Sequence, residues 1–389
     1  MRTELSSRER LLCAMNRQEP DHVPFWNLWR NRDIPFSYRD QVERAEAVLA
    51  LGLDDTLLLE PPLNKTEHYD ADHAPGILSR VAREVVPDRP YPLLIKDYIT
   101  PAGPLRQVVQ QTSDWPYGDD IRLFSDHNVS RSLKFPVADA ADLERLRHIL
   151  VEPSPGQVRE FRDEAARLRA QAERLGVVLE GGWTALGDAA LWLLGTQALL
   201  YLQMDDPGFV GQLLDVVLSW ERRRLELLLA EGVDVIVHSA WYETTDFWTP
   251  AAYRSLLKPR LRQLVQMTHE AGARFNYIVT TSWQALVQDF LELGFDSIVG
   301  VDPVQGKADL ARVKRELGGR CCLWGGLNSA ITLMGSEQEI REATAAAIHT
   351  LAPGGGFVLY AVDQLNEGLP WRNVQVAIET WRELGSYGD

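Results

Sequence analysis

From residue 177 onward the chain repeats one pattern: a short β-rich apolar run, then a longer helical stretch. The runs are 177–182, 233–241, 273–280, 295–302, 320–326 and 355–363, and the earlier runs 22–29 and 54–60 bring the number to eight. Strands that are apolar on both faces and joined by crossover helices belong in a parallel sheet. Eight such units predict an α/β fold of the (β/α)8, or TIM-barrel, kind, as one domain over residues 1–389. The alternative is an open doubly wound sheet, but no Gly-x-Gly-x-x-Gly follows any strand, so the dinucleotide fingerprint is missing. Residues 93–111 stand apart and read as an inserted β-hairpin between early strands, turning at Pro101-Ala102-Gly103. A first helix is predicted over 6–18, capped by Ser6 or Ser7, with Leu11, Leu12 and Met15 on one face.

The formal charge of -15 argues against a nucleic-acid or membrane-surface partner. It also means that an acidic small-molecule substrate would need a local group of arginines or lysines. The three cysteines, Cys13, Cys321 and Cys322, form no Cys-x-x-Cys pair, and an odd count suits a reducing compartment. Without an apolar signal core at the N-terminus, the expected location is cytoplasmic.

In a barrel of this kind the active site lies where the strands end. That rule selects Arg30 and Arg32 after the first strand, Asp54, Asp55 and Glu60 on the second, and Trp183 after the third. It goes on to His238, Trp241, Tyr242 and Glu243 at the fourth strand, Tyr277 on the fifth, Asp302 at the sixth, Asn328 at the seventh and Asp363 at the eighth. Each has a plainer reading. Arg30 and Arg32 could pair at the surface with Asp33 and Asp40. His238 could be a satisfied core histidine, and Trp183, Trp241, Trp248 and Trp324 ordinary core. The cluster His68-Tyr69-Asp70-Ala71-Asp72-His73 reads as a solvated loop rather than a metal site.

The opening SSRERLLCAMNRQEPDHVPFW, the run 180–215 and the tail GGLN (325–328) with 352–374 resemble uroporphyrinogen decarboxylase-like proteins. The resemblance spans nearly the whole chain and implies one of two chemistries. One branch removes carboxylates from a porphyrinogen without a cofactor. The other moves methyl groups between a substrate, a corrinoid protein and a thiol, on zinc held by His-x-Cys and a distant Cys. By the resemblance those ligand positions carry Tyr277, Val279 and Asp363, which cannot reproduce a thiolate zinc site. No metal and no cofactor are therefore expected.

For the decarboxylase branch, Pro24-Phe25-Trp26 leads to Arg30 and then Arg32-Asp33-Ile34-Pro35, a compressed form of the family's arginine motif. Arginine binds carboxylate as a bidentate fork. Asp54-Asp55-Thr56-Leu57 matches the family's catalytic aspartate context, with Asp55 in register. The family's late His-Gly-Ile falls at Asp363-Gln364-Leu365, a departure that points away from the housekeeping porphyrinogen substrate.

The resulting expectation is a metal-independent decarboxylase-like lyase. Arg30 and Arg32 would hold a carboxylate, Asp55 would stabilise or deliver a proton, and Tyr242, Tyr277 and Asp363 would orient the ligand. His238, Trp183, Trp241 and Asn328 complete the expected binding residues. The alternatives are a corrinoid-linked methyltransferase or demethylase with a rebuilt metal site, and a ligand-binding barrel without chemistry. A homodimer is open, since no interface can be read.

Overall fold

The computed structural model describes residues 4–26, 38–62, 76–87, 89–362 and 369–387. Its strands, in chain order, are β1 (Thr56–Leu59), β2 (Leu78–Glu84), β3 (Leu93–Thr100), β4 (Gly103–Gln110), β5 (Ser132–Lys134), β6 (Val178–Ala185), β7 (Val235–Ser239), β8 (Arg274–Ile278), β9 (Ser297–Val301), β10 (Cys322–Asn328) and β11 (Phe357–Val362). Seven of them make one parallel sheet, in the order β1-β6-β7-β8-β9-β10-β11. The sheet curls, consistent with a TIM-like barrel. Its two edges meet a common segment, because Trp26 N–H donates to the Leu359 carbonyl (3.0 Å), Leu359 N–H to Pro24 (2.8 Å) and Asp54 N–H to Phe25 (2.9 Å). Of the strand expected over 22–29, the described part is this bridge at Phe25 and Trp26.

The helix expected over 6–18 runs Ser7–Met15, and helix ends are set by local chemistry. Ser6 caps the helix Ser7–Met15 in a capping box with Glu9. Ser154 does the same with Gln157 for Pro155–Leu175, which ends at Gly176 in the left-handed conformation. The long helix Pro207–Ala230 after β6 buries Leu213, Leu214, Val217, Leu225 and Leu228 against the sheet. Among the described residues no helix is long and apolar enough to cross a membrane.

Residues 78–134 contribute a separate antiparallel sheet, β2-β3-β4-β5. Within it β3 and β4 pair from Leu93–Gln110 to Thr100–Gly103, on either side of Pro101-Ala102. The pattern of residues 93–111 points to this antiparallel pair alone; β2, which pairs with β3, is exposed along most of its length, and β5, which pairs with β4, has three residues, so neither carries a clear alternation in the sequence.

Inside the curled sheet, Val178, Val235, Val299, Cys322, Trp324 and Val358 pack with Trp26 against Leu11, Ala14 and Met15 of the first helix. That helix therefore closes the end of the sheet at which the strands begin. It is locked there by Arg10, which donates to Asp21 (2.7 Å) and to Asp54 (2.7 Å) with all three side chains buried. Burial pushes the Asp21 carboxyl up, but Arg10 and the N–H groups of Leu5 and Glu4 outweigh it and hold the group at about 2. Its folded value lies below its unfolded one, so its contribution to stability is complete at neutral pH and is lost as pH falls through that value. Arg10→Met should leave two buried carboxylates without a counter-charge and destabilise the protein by about 3–5 kcal/mol, measured by urea unfolding at pH 7.

Candidate active site

With the first helix plugging one end, the open end of the sheet is the one at which the strands finish. Alternation along each strand tells inner from outer faces. Ile278 and Tyr360 pack onto the inner cluster and are only half-buried, whereas Phe275 and Leu359 on the same strands are fully buried among the helices. Leu58 is likewise half-buried between fully buried Leu57 and Leu59. These partly open inner positions mark a lumen above an apolar floor. The floor is aromatic: the Trp26 ring meets Trp324 edge-on at 4.9 Å and Tyr360 at 5.5 Å. Glu180 alternates with the inner residue Val178 and pairs with Leu58, so it brings a carboxyl group, 1% exposed, to the inner face at that level. Trp183 and Trp241, both half-buried with rings 5.6 Å apart, stand at the ends of β6 and β7.

The residues selected from the sequence divide into several places. Asp55 precedes β1 and lies at the closed end. Arg44 grips its carboxylate from Nε (2.9 Å) and Nη2 (3.2 Å), and Ser7 Oγ accepts its N–H (3.3 Å). A strand starting at Asp54 would carry Asp55 toward the mouth; the strand begins at Thr56, and Asp55 lies before it. Tyr277, expected to point into the pocket, is on the outward face of β8, between sheet and helices. There it stacks on Phe295 (4.1 Å) and on His238 (5.6 Å), which also faces outward. Asn328 is buried at the end of β10, where its Nδ2 donates to Asp302 (2.9 Å) and Gln305 (2.8 Å) and its Oδ1 accepts from Ile331 N–H (2.7 Å), tying the loops after β9 and β10. Trp241 and Tyr242 lie in the loop after β7, Tyr242 edge-on to Phe247 at 5.0 Å. Arg30, Arg32, Asp363 and the cluster 68–73 lie outside the described residues.

Behind the lumen is a polar layer that joins His238, Glu243 and Tyr277, selected from the sequence, to Asp188, Glu221 and Arg224, which the strand-end rule did not reach. Glu243 accepts from the Tyr277 hydroxyl (2.8 Å) and from Gly187 N–H (2.6 Å), and faces His238 Nε2 at 3.2 Å. His238 Nδ1 meets Thr184 Oγ1 at 2.8 Å. Asp188 accepts from Ser239 Oγ (2.6 Å) and from the N–H groups of Tyr242 (2.8 Å) and Trp241 (3.1 Å). Glu221 is paired with Arg224 at 2.8 Å and accepts from Ala185 N–H. Burial pushes the Asp188 carboxyl well up, with the Glu243 charge adding to it, and raises Glu221 despite Arg224. Burial and Glu243 also push the Tyr277 hydroxyl up, so it remains a donor. The signal for these groups was present: Asp188 sits in the apolar stretch ALGDAALWLL, and Glu221 and Arg224 among the leucines of a core-facing helix. A carboxylate in such a setting needs a buried partner.

Among the described residues no group of three or more His, Cys, Asp or Glu is arranged to hold a metal ion. Cys321 and Cys322 are buried on opposite faces of the sheet, and burial pushes the Cys321 thiol up to about 12.

A family model described as uroporphyrinogen decarboxylase (URO-D) matches residues 123–384. The chain belongs to the uroporphyrinogen decarboxylase family. Curated relatives carry the same name: one from Xanthomonas euvesicatoria pv. vesicatoria is 25% identical over 369 residues, covering 90% of this chain and 89% of the relative. Another, from Coxiella burnetii, is 23% identical over 388 residues, covering 95% and 93%. A solved structure, a methyltransferase from Methanosarcina mazei, shares the fold with a TM-score of 0.58 at 18% identity, over 98% of this chain and 99% of that one. In the outward layer Tyr277 supplies Glu243 with a buried hydroxyl donor. Tyr277→Phe should leave Glu243 short of one donor and cost about 1–3 kcal/mol in chemical denaturation.

Proposed function

We propose that this protein is a carbon–carbon lyase, a decarboxylase-like enzyme acting on a small carboxylate-bearing molecule in the open end of a closed (β/α)8 barrel. The observation that carries the reading is the match to uroporphyrinogen decarboxylases over nine-tenths of both chains. The lumen suits such chemistry. Its aromatic floor at Trp26, Trp324 and Tyr360 favours a flat apolar body. Trp183 and Trp241 at the lip add apolar wall.

In decarboxylation the bond to the carboxylate carbon breaks, carbon dioxide leaves, and a proton takes its place on the remaining carbon. Positive charge that develops on a protonated ring is stabilised best by a fixed carboxylate in a water-poor site. In this proposal that part belongs to Glu180, which the strand register carries to the inner face, and not to Asp55, which Arg44 holds at the closed end. Trp241 and Tyr242 shape the lip, and His238, Tyr277 and Asn328 support the loops around it. The carboxylate anchor at Arg30 and Arg32 and the orienting role of Asp363 remain part of the proposal on sequence alone.

The test is release of carbon dioxide from uroporphyrinogen and from a panel of aromatic carboxylates. Glu180→Gln should lower kcat/KM by about 100-fold or more. Asp55→Asn should lower thermal stability and leave kcat/KM within about threefold. The reverse pattern would place the chemistry at the other end of the barrel, and an inactive wild type on the whole panel would remove the reading.

A further inference from the structure

The helix that follows β6, Gly187–Leu194, and the loop after β7 exchange carboxylates. Asp188, in the first turn of that helix, accepts the N–H groups of Trp241 and Tyr242 in the loop and the hydroxyl of Ser239, the last residue of β7. Glu243, in the loop after β7, accepts the N–H of Gly187 at the start of the helix. Both side chains are fully buried. Surface loops at a barrel mouth are ordinarily the mobile part of the fold. Here two consecutive backbone N–H groups of the loop after β7 end on a single side chain of the neighbouring helix, and those two N–H groups belong to the aromatic residues of the lip.

We propose that Asp188 and Glu243 are positioning residues for the site, fixing Trp241 and Tyr242 at the lip of the lumen through this reciprocal exchange. The inference rests on the reading that ligand enters at the open end. Asp188 meets three donors, so the ionised carboxylate satisfies all of them, whereas the protonated acid must turn its own O–H toward one of them. The other titratable groups facing this layer are Glu243, His238, Tyr277 and Tyr253, the Glu221–Arg224 pair behind β6, and Asp126, which accepts from Trp192 Nε1 and adds negative charge toward Asp188. Burial and the neighbouring carboxylates raise Asp188, so its change of state falls at a higher pH than for an exposed aspartate. As pH rises through that range the lip should tighten.

The experiment labels the protein with 5-fluorotryptophan, assigns Trp241 by Trp241→Phe, and follows its fluorine resonance and the amide exchange of residues 239–243 against pH. The wild type should show a pH-dependent Trp241 resonance and slowed exchange at Trp241 and Tyr242. Asp188→Asn, which cannot ionise, should abolish the pH response and speed exchange at these amides about tenfold. Ser239→Ala, which removes one donor and leaves both N–H bonds, should keep the response and move its midpoint upward. It also serves as the variant should Asp188→Asn fail to fold. An unchanged response in Asp188→Asn, or an unmoved midpoint in Ser239→Ala, would overturn the proposal. Neither readout needs turnover, so failure of the lyase reading and failure of this one give different results.

Discussion

Everything at the open end depends on how the sheet is shut at the other. A parallel sheet of seven strands has two edges with unpaired backbone groups, and such edges must find partners. Residues 24–26 supply them, bonded to β11 on one side and to Asp54 on the other. Asp54 in turn accepts from Phe25 N–H and from Arg10, so the segment that joins the edges and the helix that plugs the bottom share one buried carboxylate. The Trp381 indole adds a bond to the Val23 carbonyl (2.7 Å) from the last helix. The two ends of the chain thus meet at the seam.

The fold was legible because its signal is periodic. The apolar runs from 177 to 363 coincide with β6 to β11, and Leu11 and Met15 of the predicted first helix turn inward together. The site was less so. A residue near the end of a strand in the sequence can point either way, and the alternation that decides it depends on a one-residue phase. His238 and Tyr277 fall on the outward phase, Glu180 and Ile278 on the inward one. An aspartate at the start of a short strand reads the same in sequence as one at its end, and Asp55 is such a residue. Asp188 lies in the first turn of the helix after β6 and Glu243 in the loop after β7, and their exchange of bonds shows only when the two segments are brought together.

The polar layer explains how an apolar interior carries so many ionisable groups. Its three carboxyls, Asp188, Glu221 and Glu243, are each met by backbone N–H donors from the ends of β6 and β7 or the loops after them, as well as by side chains. Backbone N–H groups at the finish of a strand have no ladder partner beyond it, and a buried carboxylate satisfies them where water cannot enter. Arg224, lying over the Trp220 ring at 3.9 Å, supplies charge in the same layer.

The two faces of β8 carry separate duties on alternate residues. Outward Phe275 and Tyr277 belong to the layer that holds the loops, and inward Ile278 belongs to the wall of the lumen. A deletion or insertion of one residue here would exchange the two sets at a stroke. Point substitutions do not. Leu58, Ile278 and Tyr360 can therefore vary in size and polarity while the support behind them stays constant, and a lineage built on this chain is free to drift from one ligand to another without first rebuilding its frame.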